Sequence, residues 1–362
     1  MYKVLTDDEI PDNAGIAIEY NLPQTAKRVD FIISGYDEKQ NSHAIIIELK
    51  QWESVEAIRW MDNIVRTYVA GAKRNVVHPS YQAWSYASII QDYNRNVQMG
   101  DIALHPCAYL HNYHKVAPEV LESEQYQDVV ESAPLFFRGD VPKLREFIKK
   151  YVKSGDDKKL LYEIDTGRIK PSKSLQNSIK SMLDGNQEFV MLDEQKVAYE
   201  QIQTTALKCA KDHKKCTNIV KGGPGTGKTV IAMNLLARLT NQELFVQYVT
   251  KNGTSRHVYE KKLTGHKKNR IHAMFRSSGQ YTDAQENIVD VVLCDEAHRL
   301  TEKTQNGPVC KGENQIKELI KGSLCNVFFI DESQRVTLAD IGSINQIRNW
   351  AEKLGSQVSV LE

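Results

Sequence analysis

The 362-residue sequence is short of the features that would settle a function class at a glance. It has almost no net charge, +1 from 47 basic and 46 acidic residues, so composition alone does not announce a nucleic-acid binder. Its six cysteines, Cys107, Cys209, Cys216, Cys294, Cys310 and Cys325, never fall as C-x-x-C, which speaks against a zinc ribbon or a disulfide framework. Cys294 and Cys325 lie in or beside apolar runs and are expected as reduced core residues, with a cytoplasmic compartment as the corollary. No apolar run approaches the roughly 20 residues that cross a bilayer, so no membrane partner is expected. Met1–Ile10 carries acidic residues and lacks both a basic opening and an apolar stretch, unlike a signal peptide. There is no internal repeat and no low-complexity tract.

What is present is enough chain for two cores and a clear change of pattern along it. Residues 1–122 mix short apolar strands with helical stretches. Residues 123–185 are charged and helix-prone, with a helix expected at Lys143–Lys153; the turn Ser154–Lys159 and the segment Lys170–Ser174 look like connectors. Residues 186–362 alternate strands and helices in the manner of a parallel α/β sheet. Strands are expected at Asn218–Lys221, Leu244–Thr250, Ile288–Cys294, Val327–Ile330 and Val358–Leu361. A helix is expected over Thr229–Thr240, with Ile231, Leu235 and Leu239 on one face. A second helix should follow the capping pair Ser343 and Gln346 and stop at Gly355. The overall class is therefore α/β.

Gly222-Gly223-Pro224-Gly225-Thr226-Gly227-Lys228-Thr229 fits the phosphate-binding pattern G-x-x-x-x-G-K-[ST] between an expected strand and an expected helix. The glycines let backbone N–H groups turn around phosphate oxygens, and the helix N-terminus favours negative charge. Lys228 can reach the β- and γ-phosphates and the Thr229 hydroxyl can ligate Mg²⁺. The apolar strand Val291-Val292-Leu293-Cys294 then ends in Asp295-Glu296, where Asp295 would hold Mg²⁺ through water and Glu296 would orient or deprotonate the attacking water. Two amides extend the set. Gln334, after Asp331-Glu332-Ser333, would sense the γ-phosphate or merely end a polar turn; Gln195, after Leu192-Asp193-Glu194, would read the adenine edge and favour ATP over GTP.

Together, Gln195, the Gly222–Thr229 loop, Thr250-Lys251-Asn252, Asp295-Glu296-Ala297-His298 and Asp331–Gln334 resemble the first motor domain of a superfamily 1 helicase, and more closely the bacterial Schlafen group-3-like DNA/RNA helicase family. The resemblance covers the last half of the chain and implies a RecA-like parallel sheet, with Thr250 and Asn252 near single-stranded nucleic acid. Such helicases continue into a second motor domain that brings an arginine to the γ-phosphate. This sequence stops just after the helix beyond Gln334, so ATP binding with weak hydrolysis is expected unless another chain supplies that domain. The segment Lys251–Arg276, with Arg256, Lys261, Lys262, Lys267, Lys268 and Arg270 against a lone Glu260, is either a solvated helical face or a surface for a phosphate backbone.

In the front part, Arg28–Ile33 and Ala44–Lys50 read as strands. Period-2 geometry puts Glu48 and Lys50 on one face with Leu49 turned to the core. Asp30 and Glu48 would share a divalent ion, Mg²⁺ or Mn²⁺, with Lys50 steadying hydroxide or the charged phosphorane, as metal-assisted phosphodiester hydrolysis requires. The alternative is a solvated strand end with a salt-bridged lysine. The pattern D-(spacer)-E-x-K, with Gln51, Trp52, Gln82 and Tyr86, resembles the PD-(D/E)xK nuclease superfamily, which implies a restriction-endonuclease-like domain over about the first third of the chain. Gln82 and Tyr86 share a face of the helix expected at Ser80–Asp92. The first helix of that fold has little room before Gly15, since Pro11 and Asn13 break the segment, and Glu19 is the substitute acid. His105, His111 and His114 are expected as packing and surface residues.

The sequence thus leads to an ATP-binding and hydrolysing nucleic-acid-processing protein, with a nuclease-like front, acting on single-stranded DNA or RNA; the resemblance adds a role in restricting foreign nucleic acid. The alternative is a nucleotide-gated nucleic-acid-binding module with neither activity complete.

Overall fold

The computed structural model describes residues 1–22, 25–99, 102–167, 190–251, 274–306, 309–335, 337 and 339–362. The chain divides into two compact units, Met1–Ser172 and Lys173–Glu362. Both are α/β, as the alternation of elements implies. Among the described residues, no helix is long and apolar enough to cross a membrane.

The first unit is built on β1 (Gly15–Asn21), β2 (Arg28–Tyr36), β3 (Ser42–Lys50), β7 (Ala103–Leu110) and β8 (Leu135–Phe137), in that spatial order. The first three run antiparallel; β3, β7 and β8 are mutually parallel. Between β3 and β7 the chain makes a separate three-stranded sheet of β4 (Val55–Ala57), β5 (Ile64–Val69) and β6 (Ala72–Val77), then the helix Pro79–Tyr93. Five consecutive buried residues, Ala44–Glu48, show that β3 is covered on both faces. Phe31, Ile33, Ile45 and Ile47 pack on Leu144 and Ile148 of the helix Val141–Tyr151. The opposite face carries the Pro79–Tyr93 helix, started by His78, whose Nδ1 accepts from Ser80 N.

Ser154–Lys159, expected as a connector, is instead tied into this core. Asp156 is buried and accepts from Gly15 N at 2.7 Å, Ser34 Oγ at 2.9 Å and Leu160 N at 2.8 Å. A buried carboxylate with three donors is held as firmly as an apolar contact. Residues 123–167 likewise give β8 and the helix Val141–Tyr151 to the first unit. Lys170–Ser174 lies outside the described residues.

The second unit holds a six-stranded, wholly parallel sheet in the order β11 (Phe275–Arg276), β10 (Val246–Thr250), β12 (Val289–Asp295), β15 (Ser323–Ile330), β9 (Cys216–Lys221), β16 (Gln357–Leu361). A small hairpin, β13 (Thr304–Asn306) and β14 (Val309–Lys311), precedes the helix Gln315–Gly322. The helices Asp193–Asp212 and Lys228–Asn241 cover one face of the sheet. Gln315–Gly322 and Ile344–Lys353 cover the other. Ile231, Leu235 and Leu239 are buried as the 3.6-residue period requires, each stabilising by about 1.5–3 kcal/mol. The Ile344–Lys353 helix starts at Ser343, whose side chain accepts from Gln346 N, and Gly355 follows it at φ +67. β9, β15 and β16 begin two, four and one residues before their expected starts, because pairing continues past the apolar runs, whereas β10 begins two residues later than expected, at Val246, and β12 is shifted by one. Cys294 and Cys325 are buried in this core.

Candidate functional site

Parallel strands point their carboxyl ends at one edge of the sheet, and there the loops gather side chains. On β12, Val291, Leu293 and Asp295 share the face packed by the Lys228–Asn241 helix, whereas Val292 and Cys294 face the other core. Period 2 thus aims Asp295 at the start of that helix. Thr229 Oγ1 donates to Asp295 Oδ2 at 2.8 Å across 66 residues of sequence.

The loop between β9 and the helix is open: Pro224, Gly225 and Thr226 are exposed, and Gly222, Gly223 and Gly227 partly so. Gly225 and Gly227 take φ of +72 and +83, values that favour glycine. A Cβ at Gly227 would also lie 2.5 Å from Gln195 Nε2. Lys228 Nζ folds back onto its own loop, donating to Gly222 O at 2.8 Å and Gly223 O at 2.7 Å. Gly222 N donates to Ile330 O, joining the loop to the end of β15. The ammonium of Lys228 is thus held by two carbonyls of the loop that precedes it.

Glu296 takes a left-handed φ of +54 directly after the strand, and its Oε2 lies 3.1 Å from Nε2 of the buried His298. Asp331, at the tip of β15, accepts from Ser333 Oγ at 2.6 Å and Ser333 N at 3.1 Å. These bonds, helped by the charges of Lys228 and His298, hold its carboxyl below the usual range. Its Oδ2 is buried with no hydrogen-bond partner. Gln334 closes the short turn Glu332–Gln334 beside it and is half-buried. Gln195 touches the loop as well, but its amide is engaged there: Nε2 donates to Thr226 O at 2.9 Å and Oε1 accepts from Leu192 N at 3.1 Å.

Thr250 is buried at the carboxyl end of β10, and Lys251 Nζ donates to Arg299 O at 3.0 Å. Asn252 and the basic residues Arg256, Lys261, Lys262, Lys267, Lys268 and Arg270 lie outside the described residues. A residue that sequence reading passes over enters here. Tyr248 of β10 donates its phenol to Asp295 Oδ2 at 2.6 Å. Its only signal in the sequence is a polar-tipped aromatic two residues before the end of an apolar strand.

In the first unit, Asp30, Glu48 and Lys50 do come together. Lys50 Nζ lies 2.6 Å from Glu48 Oε1, and Asp30 Oδ2 accepts from Leu49 N at 2.8 Å. Leu49 packs partly into the core as expected, yet Glu48 is the more buried of the two. Burial therefore pushes the Glu48 carboxyl up to about 7; Lys50 pulls it down and the neighbouring Asp30 carboxyl adds to the rise. Glu48 Oε2 has no hydrogen-bond partner. Gln82 Nε2 donates to Tyr86 OH at 2.8 Å on the Pro79–Tyr93 helix, and Lys50 Nζ stands 5.8 Å from the Trp52 ring centroid. Glu19, the substitute acid, takes φ +52 and pairs with Arg28 at 2.8 Å on the exposed side. His105 stacks on Tyr151 with ring centroids 3.6 Å apart, His111 pairs with Asn112, and His114 is exposed.

Among the described residues, no group of three or more His, Cys, Asp or Glu side chains is arranged to hold a metal ion. A hard cation takes a shell of oxygens, and the oxygens at hand are those of Thr229 and Asp295 in the second unit and, in the first, those of Asp30 with the donor-free Glu48 Oε2. Water or phosphate oxygens would complete such a shell.

Residues 215–361 match the family described as Schlafen group 3, DNA/RNA helicase domain. The match runs from β9 to β16 and takes in the glycine loop, Asp295-Glu296 and Gln334, so this stretch is a helicase-type domain. Comparison with curated proteins gives no match.

Proposed function

We propose that the second unit binds ATP with Mg²⁺ and hydrolyses it in the service of nucleic-acid processing. The observation that carries this reading is the Thr229–Asp295 hydrogen bond beside the folded-back Lys228, which gathers a cation, a hydroxyl and a carboxylate around an open glycine loop. Lys228 Nζ would exchange the Gly222 and Gly223 carbonyls for β- and γ-phosphate oxygens. Backbone N–H groups of Gly223 and of Gly225–Thr229 would take the rest of the phosphate charge. Thr229 and Asp295 would hold Mg²⁺, which when bound neutralises charge on the β- and γ-oxygens. Glu296, steadied by His298, would accept a proton from the attacking water. The water oxygen bonds to the γ-phosphorus as the β–γ bridging bond breaks, giving ADP and phosphate. Gln334 would contact the γ-phosphate. Gln195 would set the loop through Thr226 and reach the adenine edge.

ATP turnover by the full chain, with and without single-stranded DNA or RNA, tests this reading. Turnover that rises with nucleic acid is expected. Turnover unmoved by either polymer would remove the link to nucleic acid, and binding with no turnover would favour a nucleotide-gated binding module.

A second activity is supported by the first unit: Mg²⁺- or Mn²⁺-dependent hydrolysis of a phosphodiester at Asp30, Glu48 and Lys50. The supporting observation is the donor-free Glu48 Oε2 beside Asp30, a pairing that apolar packing alone would not retain. Cleavage of DNA or RNA with Mn²⁺ should vanish in Glu48→Ala while polymer binding persists. No cleavage by the unaltered chain would rule this activity out.

A further inference from the structure

We propose that Tyr248 is a positioning residue that holds Asp295 in place for a divalent cation; this rests on the nucleotide-binding reading above. Asp295 is buried, and its two oxygens meet three donors: Glu296 N on Oδ1 at 2.9 Å, and Thr229 Oγ1 and Tyr248 OH on Oδ2 at 2.8 and 2.6 Å. Of these, Thr229 is the one that a bound cation would recruit. Its oxygen would ligate through a lone pair, which ties the Thr229 hydroxyl to the position of the cation and leaves the phenol as the Oδ2 donor independent of it. A buried carboxylate oxygen left without a donor is costly and free to swing.

The phenol is well placed for this task. Tyr248 is 2% exposed and lies opposite Leu293 in the β10–β12 register, two pairs before Thr250 and Asp295 and so on the same face. Its side chain therefore rises along the sheet to the carboxylate from the face covered by the Lys228–Asn241 helix. The Phe275 ring packs against it at 5.7 Å between centroids. A 2.6 Å O–H···O⁻ contact lies in the range of charge-assisted bonds. Phenylalanine would fill the same apolar volume, so the hydroxyl is what distinguishes the residue from core packing.

The test is equilibrium binding of N-methylanthraniloyl-ADP to the full chain, in excess Mg²⁺ and in EDTA, for the unaltered protein, Tyr248→Phe and Tyr248→Met. The unaltered protein should gain affinity with Mg²⁺. Both variants should lose about tenfold of that gain, with affinity in EDTA kept within about twofold. Where Tyr248→Phe does not fold, Tyr248→Met reports the same quantity. A Mg²⁺ gain equal to that of the unaltered protein in either folded variant overturns the proposal. So does an equal loss in EDTA and in Mg²⁺, which would mean a purely structural role. Failure of the unaltered protein to bind the probe in either buffer would instead defeat the nucleotide reading itself.

Discussion

The hydroxyl of Thr229 and the Oδ2 oxygen of Asp295 are 2.8 Å apart, joining the first turn of the helix after β9 to the tip of β12. Two local patterns make this meeting. The glycine loop sets where the helix begins, and the alternation of β12 sets which face Asp295 takes. Lys228 and Glu296 are the immediate sequence neighbours of the pair, the first held by the carbonyls of Gly222 and Gly223 and the second paired with His298.

Replacing Glu296 by Gln keeps its shape and removes its basicity. ATP binding should survive, while turnover should fall by roughly 10²–10⁴-fold, the usual worth of a positioned base. Single-turnover kinetics with bound ATP measures this directly. Turnover within a few-fold of the unaltered chain would assign the water-activating role elsewhere.

Gly227→Ala should damage the loop twice over. The φ of +83 costs an alanine about 1–2 kcal/mol, and the new Cβ would meet Gln195 Nε2 at 2.5 Å. ATP affinity should drop while thermal stability falls only modestly. Adding Gln195→Ala should relieve the clash but not the backbone strain, so recovery in the double variant should be partial. Full recovery would show that the backbone conformation is dispensable.

Glu48 should make the first unit less stable as pH rises. Its carboxyl titrates near 7 when folded, chiefly through burial, against an ordinary 4.5. Between those values the unfolded chain has released a proton that the folded chain retains, so this group's contribution is complete below about pH 4.5 and is lost on the way to about 7. Unfolding midpoints at pH 5 and pH 8 should converge in Glu48→Gln relative to the unaltered chain. At pH 8, Mn²⁺ should raise the midpoint of the unaltered chain and not that of Glu48→Gln. Parallel pH slopes for the two proteins would contradict the assigned burial.

The legible parts of this molecule are those where a short window carries the geometry. Lys228 and Thr229 stand in one eight-residue pattern, Asp295 ends an apolar run, and Glu48 and Lys50 are two apart on a strand, so their shared face follows from period 2. The contacts that escaped reading join distant segments through residues that look ordinary locally. Asp156 sits in a lysine-rich turn, and its partners Gly15 and Ser34 are 141 and 122 residues away. Tyr248 looks like strand filling until β10 is laid beside β12. Glu19 looked available to the carboxylate pair, but its left-handed backbone and Arg28 take it to the exposed side.

The function of the second unit turns on whether the glycine loop and Lys228 hold a triphosphate. Calorimetric titration of ATP with Mg²⁺ into the unaltered full chain and into Lys228→Ala decides it. Saturable one-to-one binding that disappears in Lys228→Ala, with both proteins unfolding at similar temperatures, is the expected result. Equal affinity in the two proteins, or no binding in either, would contradict it.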